Sequence, residues 1–479
     1  MRKDMSPKKL NGSTNDEARL NAHHKMMTET PVPKLVTRLA IPSILSMLIT
    51  AIYNMADTYF VSQLGTSAAG AVGVVFSLMA VFQAVGYTLG SGAGNVLARQ
   101  MGAKDSDAAS CSASTAFFTA FAIGLLFAIF GHAFIENLMR LLGATETILP
   151  YALAYGRYIL LAAPFMCASF VMNCLLRSEG KSSLATVGIS TGGVLNLVLD
   201  PIFIFALDMK TAGAALATAL SQLISFVLLL SFFLLKKSNL RLSITRIART
   251  PKVYGRIILT GLPSFSRQGL SSISSMLLNR AAGLYGDAAV AAMSIVSKIV
   301  IFIFSATVGF LQGFQPVCAF NYGARHFDRV KKAAYFSGTV CLVATLLIGI
   351  GFFLAAPCVI TAFRRDDPDV IAIGTLALRC QCIVFPLSTV STLANFAFQS
   401  TGQSIRALIL ASCRQGIFFI PLILILPAAM GLPGIQITQA VSDALTAVLC
   451  VPFLIHFLRS LDRKQQLVNQ ETSANSLNG

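Results

Sequence analysis

The sequence predicts an all-α integral membrane protein of twelve transmembrane helices, arranged as two pseudo-symmetric six-helix bundles around a central cleft. Three observations carry that expectation. The 479 residues are 55% hydrophobic and only 12% charged, against roughly 25% charged in a soluble domain. Apolar runs of the about 20 residues needed to cross a bilayer recur along the whole chain. The second half also repeats the first at a nearly fixed offset.

The elements follow in order. The polar stretch 1–33 reads as a disordered cytoplasmic tail. A first bundle over 34–235 holds apolar runs at Leu35–Val61, Ser67–Ala98, Ala108–His132, Pro150–Leu176, Ser182–Leu207 and Thr211–Leu235. The basic stretch 236–252 reads as a cytoplasmic linker. A second bundle over 253–459 holds runs at Val253–Leu284, Ala288–Phe320, Val330–Ala356, Val370–Ala397, Ser404–Pro427 and Leu432–Phe457. A polar cytoplasmic tail, 460–479, closes the chain and also reads as disordered. The runs are too long for barrel strands and show no sustained period-2 alternation. The first is too long for the core of a signal peptide and follows about thirty polar residues.

The formal net charge of +17 sorts by side rather than by patch. Alternate segments hold 27 of the 37 Lys and Arg, whereas the other loops hold only Arg140, Lys210, Arg364 and Arg365. That is the positive-inside pattern, with both termini cytoplasmic and an even number of spans. The basic loops then meet anionic lipid. A nucleic-acid surface would interleave aromatics with its cations, and Lys236–Arg256 has only Tyr254, so no nucleic-acid partner is expected. The ten Cys form no CxxC pair and mostly lie within apolar runs, where Cys acts as a small hydrophobe. The five His have no metal-ligand spacing.

The repeat has an offset of 221. Pro42-Ser43 matches Pro263-Ser264, Gly65 matches Gly286, and Gly102-Ala103-Lys104 matches Gly323-Ala324-Arg325. Gly213 matches Gly434 and Ser221 matches Ser442, while Gly180-Lys181-Ser182 matches Gly402-Gln403-Ser404 one residue out. Six spans per half is even, so the halves are parallel repeats about an axis along the membrane normal. Two such bundles enclose a cleft that rocking can open to either side.

An acid within hydrocarbon costs roughly 2.5–3.5 kcal/mol on insertion scales. Asp57, Asp200 and Asp443 therefore stand out. Asp57 shares a helical face with Tyr53 and Asn54, and Asp200 shares one with Asn196. Pro201 removes a donor and frees a carbonyl nearby, Thr218 offers a hydroxyl on the next span, and Asn173 offers an amide on the fourth. Converging, these first-half groups would make an oxygen-lined pocket with two carboxylates, suited to a cation such as Na⁺ or to a proton. Plainer readings exist for each. Asp200 can cap a helix that restarts after the kink, and Asp57 can sit hydrated at the outer interface. Asn173, Asn196 and Thr218 can be interhelical glue. Asp443, the twin of Gln222, can line the second half of the cleft or serve as structural hydrogen bonding. Arg267, Lys298 and Arg414 lie within second-half spans, and no Glu occurs between Glu179 and Glu471, so acids favour the first half and bases the second. Pro42 in the first span and the glycines Gly86, Gly90, Gly92 and Gly94 in the second permit bending and close contact, and make Pro42 a candidate gate.

Six segments carry a family resemblance: YNMADTYFVSQLG, RQMGAKD, LLRSEGK, NLVLDPIFIF, GAALATALSQ and GFQPVCAFNYGAR. Together, in this order, they resemble the MATE (multidrug and toxic compound extrusion) transporters, in the bacterial branch typified by MepA and DinF, over about Pro31 to Arg459. The resemblance implies a V-shaped pair of six-helix bundles exporting bulky, often cationic drugs in exchange for H⁺ or Na⁺. It implies a first-half cation site on Asp57, Asn196, Asp200 and Thr218, with Tyr53 and Asn173 among the polar positions lining that bundle. NorM-like members carry acids in the seventh helix, where this chain has Ser271, Ser272 and Ser274. Coupling is thereby expected in the first half.

The expected protein acts as a monomer on small-molecule drugs within membrane lipid, with no cofactor beyond the transported ion. Rival readings are a flippase for a lipid-linked saccharide, which would use the second-half cations, a channel, and a membrane-embedded enzyme. The enzyme would need a metal cluster or an activated nucleophile, and direct ATP drive would need a GxxxxGK[ST] loop; the sequence has none of these.

Overall fold

A computed structural model of the chain describes residues 7–64, 66–363 and 367–477. Side chains are described from residue 17 onward, except those of Asn54, Met55, Asp57, Thr58, Tyr59, Ser62, Thr66, Ala69, Thr472 and 475–477. The first half consists of α1 (Pro7–Glu29), α2 (Val32–Ser62), α3 (Thr66–Gly102), α4 (Ser106–Ala133), the short α5 (Ile135–Leu141), α6 (Leu149–Ser178), α7 (Ser182–Pro201) and α8 (Lys210–Leu234). A linker follows, and then α9 (Pro251–Gly283), α10 (Asp287–Gly323), α11 (Phe327–Phe363), α12 (Pro368–Ser400), α13 (Ser404–Ser412), α14 (Phe419–Met430) and α15 (Leu432–Leu477). A π turn at Ile202–Ala206 continues α7, and another at Cys413–Ile417 joins α13 to α14. Counting α13 and α14 as one broken helix gives six long helices in each half.

Eleven of these twelve are long and apolar enough to span a bilayer. The exception is α9, which is 33 residues long but carries Arg256, Arg267, Arg280 and a serine-rich centre. Elsewhere large apolar side chains face outward, including Leu126, Ile129 and Phe130 on α4 and Leu347, Ile350 and Leu354 on α11. In water such bands would be a liability; in lipid they are the solvated face.

Both tails depart from the expected disorder. Residues 7–29 form α1, and residues 462–477 prolong α15. Polar composition misread α1 because its burial comes from the turns of other helices. His23 Nε2 donates to the Glu179 carbonyl at 2.7 Å, the Asn321 amide donates to the Met27 carbonyl at 3.2 Å, and Met27 is fully buried.

The repeat is visible in backbone geometry. Lys104 and Arg325, at the ends of α3 and α10, both take left-handed conformations (φ 62° and 60°), as do Gly180 and Gly402 after α6 and α12 (φ 81° and 82°). Such residues terminate helices by letting the next amides reach back to orphaned carbonyls: Asp105 N meets Gln100 O, and His326 N meets Asn321 O, both at 2.9 Å.

The two halves meet toward one end, the end that carries α1, the linker and the close of α15. On α2 the contacts run over Ala40–Met47, on α3 over Gln83–Gly102, on α9 over Ile257–Gln268 and on α10 over Gly309–Gly323. Glycine permits this approach. A Cβ at Gly261 would lie 1.9 Å from the Thr88 carbonyl oxygen. A Cβ at Gly102 would lie 2.0 Å from the Phe320 carbonyl oxygen, and one at Gly323 would lie 2.0 Å from that of Arg99. Toward the other end, Gly73 of α3 faces open space.

Candidate functional site

The α-helical run of α7 ends at Pro201, which has no N–H to continue the ladder, and the chain passes into a π turn closed by Leu207 N on Ile202 O at 3.0 Å. One turn before Asp200, Asn196 lies on the same face. Its Nδ2 donates to Asp200 Oδ1 at 3.0 Å and to Thr218 Oγ1 of α8 at 3.3 Å. All three side chains are buried, Asp200 completely. The sequence-predicted trio is therefore one cluster between two helices, and the sequence from Ser182 to Leu234 places only one cation, Lys210, on them.

The other candidates fall in different places. The Tyr53 ring of α2 packs on Gly193, one turn before Asn196; a Cβ there would meet Tyr53 Cδ1 at 2.8 Å. Asp57 is in α2 one turn beyond Tyr53, and its side chain lies outside the described residues. Asn173 does not join the trio. Its Nδ2 donates to the Ala185 carbonyl at 2.8 Å, eleven residues before Asn196 on α7, or roughly 16 Å along the axis. Its Oδ1 accepts from Arg177, which also donates to Gln312 of α10 across the two halves. Pro42 lies beside the inter-half contact, with its carbonyl accepting from Thr186 Oγ1 at 2.7 Å.

Of the two readings of Asp443, the structural one fits the geometry. The carboxylate is fully buried and accepts from Arg414 Nε at 2.8 Å and Nη2 at 3.2 Å, from Gln381 at 2.9 Å and from Gln439 at 2.9 Å. Arg414 also stacks 4.2 Å from the Phe304 ring centre, and its carbonyl accepts from Ser442 Oγ at 2.7 Å. Of the seventh-helix serines, Ser274 serves this same region and donates to the Gln415 carbonyl in the π turn, whereas Ser272 is exposed and donates to the Gln268 carbonyl of its own helix.

Sequence reasoning missed the polar layer that seals the inter-half contact. Gln83 pairs with Gln268 at 3.0 Å, Ser91 with Ser264 at 2.8 Å, and Gln399 Nε2 donates to Ser91 Oγ at 3.1 Å, while Arg99 Nη1 donates to the Ser400 carbonyl at 2.7 Å. The available signal was the placement of amides inside otherwise apolar runs. Among the described residues no cluster of three or more His, Cys, Asp or Glu is poised for a metal.

With this geometry in view, the MatE family model matches residues 42–202 and again 263–425, once in each half. The chain belongs to the MatE family. Its two matched segments begin at Pro42 and Pro263, the first residues of the internal repeat. Among relatives, the multidrug export protein MepA of Staphylococcus aureus (strain MSSA476) is 26% identical over 90% of this chain and 95% of its own. A crystal structure of a MATE protein in complex with MaL6 superposes with a TM-score of 0.87 at 25% identity, covering 92% of this chain and 99% of that one. Another, described as the outward-facing conformation of a multidrug resistance MATE family transporter of the MOP superfamily, gives 0.86 at 25% identity, covering 92% and 98%. Family and relatives are transporters, and the fold is the paired six-helix arrangement of MatE proteins.

Proposed function

We propose that this chain is a secondary multidrug exporter of a bacterial inner membrane, with both termini cytoplasmic, that expels bulky organic compounds in exchange for H⁺ or Na⁺. Membership of the MatE family and similarity to MepA support export. The halves touch near the end bearing the termini, and Gly73 of α3 faces open space beyond, which supports an outward-open cleft.

The observation that carries the coupling reading is the complete burial of Asp200 against Asn196 and Thr218. A carboxylate in a low-dielectric interior gains strongly from a cation. Na⁺ would be held by carboxylate, amide and hydroxyl oxygens, with the Asn196 amide turning to present Oδ1; a proton would sit on the carboxylate itself. Either event changes the charge between α7 and α8 by one unit. Asp57 and Tyr53 on α2 would complete the site, linking its occupancy to the helix that carries Pro42. Domain limits of 34–235 and 253–459 accompany this reading, with the intervening linker pinned to α4 and to Glu179 of the first half.

The test is ethidium efflux from proteoliposomes under separately imposed pH and Na⁺ gradients. One gradient should drive efflux in the natural chain, and Asp57→Asn and Asp200→Asn should each abolish it. Normal pumping by both variants would remove the site assignment, and no efflux under any gradient would remove the exporter reading.

A further inference from the structure

Two repeat-equivalent asparagines, Asn173 and Asn395, make the same contact: each amide donates to the carbonyl of the residue twelve positions later, Ala185 at 2.8 Å and Ala407 at 2.6 Å. In each, the remaining Oδ1 accepts from a guanidinium, but the guanidiniums come from non-equivalent positions. Arg177 of α6 serves Asn173, and Arg267 of α9 serves Asn395 at 3.3 Å. Arg267 also lies over the Phe396 ring, 5.2 Å from its centre. Both guanidiniums lie close enough to the Tyr87 hydroxyl of α3 to act on it electrostatically, so the two charges approach one point on α3. That point lies in the layer of Gln83 and Gln268, where the contact ends and the open part of the cleft begins.

Their bonds are to neutral oxygens, aromatic faces and sulfur. Among the described residues no carboxylate forms an ion pair with either, in contrast to Arg414. Neutral amides orient a guanidinium but do not cancel its charge. Two uncancelled cations in a low-dielectric floor create a field that favours an anion entering from the cleft. The planar fork of Arg suits the paired oxygens of a carboxylate, sulfonate or phosphate. Arg267 is only half-buried and is the reachable member of the pair, while Arg177 is nearly enclosed.

We propose that Arg267, backed by Arg177, binds an anionic oxygen group at the cleft floor, so that the cargo includes amphipathic organic anions or zwitterions with an apolar aromatic body. This rests on the exporter reading of the cleft. Cation coupling at Asp200 and cargo recognition at Arg267 would then use opposite charges in separate places, so an anionic cargo would not compete for the coupling site.

The experiment uses the full chain in proteoliposomes, with the driving gradient established by ethidium and three probes followed in parallel. These are carboxyfluorescein, ethidium, and a fluorescent phosphatidylglycerol as the lipid-borne source of the same anionic group. Carboxyfluorescein efflux is expected in the natural chain. In Arg267→Gln it should fall about tenfold, the worth of one charge-assisted contact, while ethidium efflux rises because a repelling charge is gone. Arg267→Lys should restore part of the anion transport. Movement of the lipid with no carboxyfluorescein efflux would assign the anion site to a headgroup. Absence of movement for both anionic probes, with ethidium still pumped, would overturn the inference and leave the exporter reading standing. An equal fall for every probe in Arg267→Gln, with the Lys variant equally impaired, would show a purely structural arginine and would also overturn it.

Discussion

The two halves share one scaffold and bury an aspartate in different company. In the first, Asp200 accepts from an amide that also touches a threonine hydroxyl. In the second, Asp443 is gripped by a bidentate guanidinium and two further amides. A carboxylate holding a covalently tethered cation gains little from a mobile one. The pair ties the π turn after α13 to α15 and, through Gln381, to α12. The first-half carboxylate sits among polar groups that can reorganise around an ion. Repetition of the fold therefore did not repeat the surroundings of the aspartate: one half pairs it with amide and hydroxyl, the other with a guanidinium.

The largest expected effect tests the Arg414–Asp443 pair. Arg414→Met leaves Asp443 buried without its cation and should cost about 3–5 kcal/mol, read as a marked fall in thermal unfolding temperature in detergent. Asp200→Asn should leave that temperature close to the natural value while abolishing gradient-driven efflux. If the two variants behave alike, the contrast between halves is broken. Next in size, the double change Arg414→Gln with Asp443→Asn should recover most of the lost stability, because a neutral pair replaces an orphaned charge. Asn196→Ala should weaken the coupling ion about tenfold, seen as a steeper gradient needed for half-maximal efflux. Thr218→Val, which keeps shape and removes an oxygen, should produce a smaller shift in the same direction, and Thr218→Ser almost none.

The smallest expected effect is at α1, outside the membrane. Burial pushes the His23 imidazole below its ordinary range, partly opposed by Glu179. The docked helix thus holds His23 neutral, whereas the free helix titrates near 6.5. Docking is favoured above that value and is lost as pH falls through the lower, docked-state pKa. Hydrogen exchange over residues 17–29 should rise on acidification, and His23→Gln should remove the dependence.

Most of the architecture was legible because a bilayer imposes its rules on composition. Twenty apolar residues, a cation-rich side and a fixed repeat offset each follow from physics that acts on the chain locally. The trio at Asp200 was legible for the same reason: an acid in an apolar run demands an explanation, and an amide one turn away shares its face. The Arg414–Asp443 pair was not. Each residue was visible as a charge out of place, but they are separated by 29 positions and joined only by the packing of α15 on the π turn after α13. Asn173 was legible as polar and misplaced for want of depth, since sequence does not show how far along a neighbouring helix it reaches. The helix α1 was invisible because its apolar partners belong to other elements.

The glycines at the close of α3 and α10 carry one more lesson. Gly102 rests on the Phe320 carbonyl and Gly323 on that of Arg99, and 221 positions separate both the glycines and their supports. Such a contact is self-complementary, the kind a six-helix chain makes with a second copy of itself about a twofold axis. The joint between the halves makes no demand that they differ. A six-helix unit could make this same joint with an identical copy of itself, whereas the surroundings of Asp200 and Asp443 require the two halves to differ.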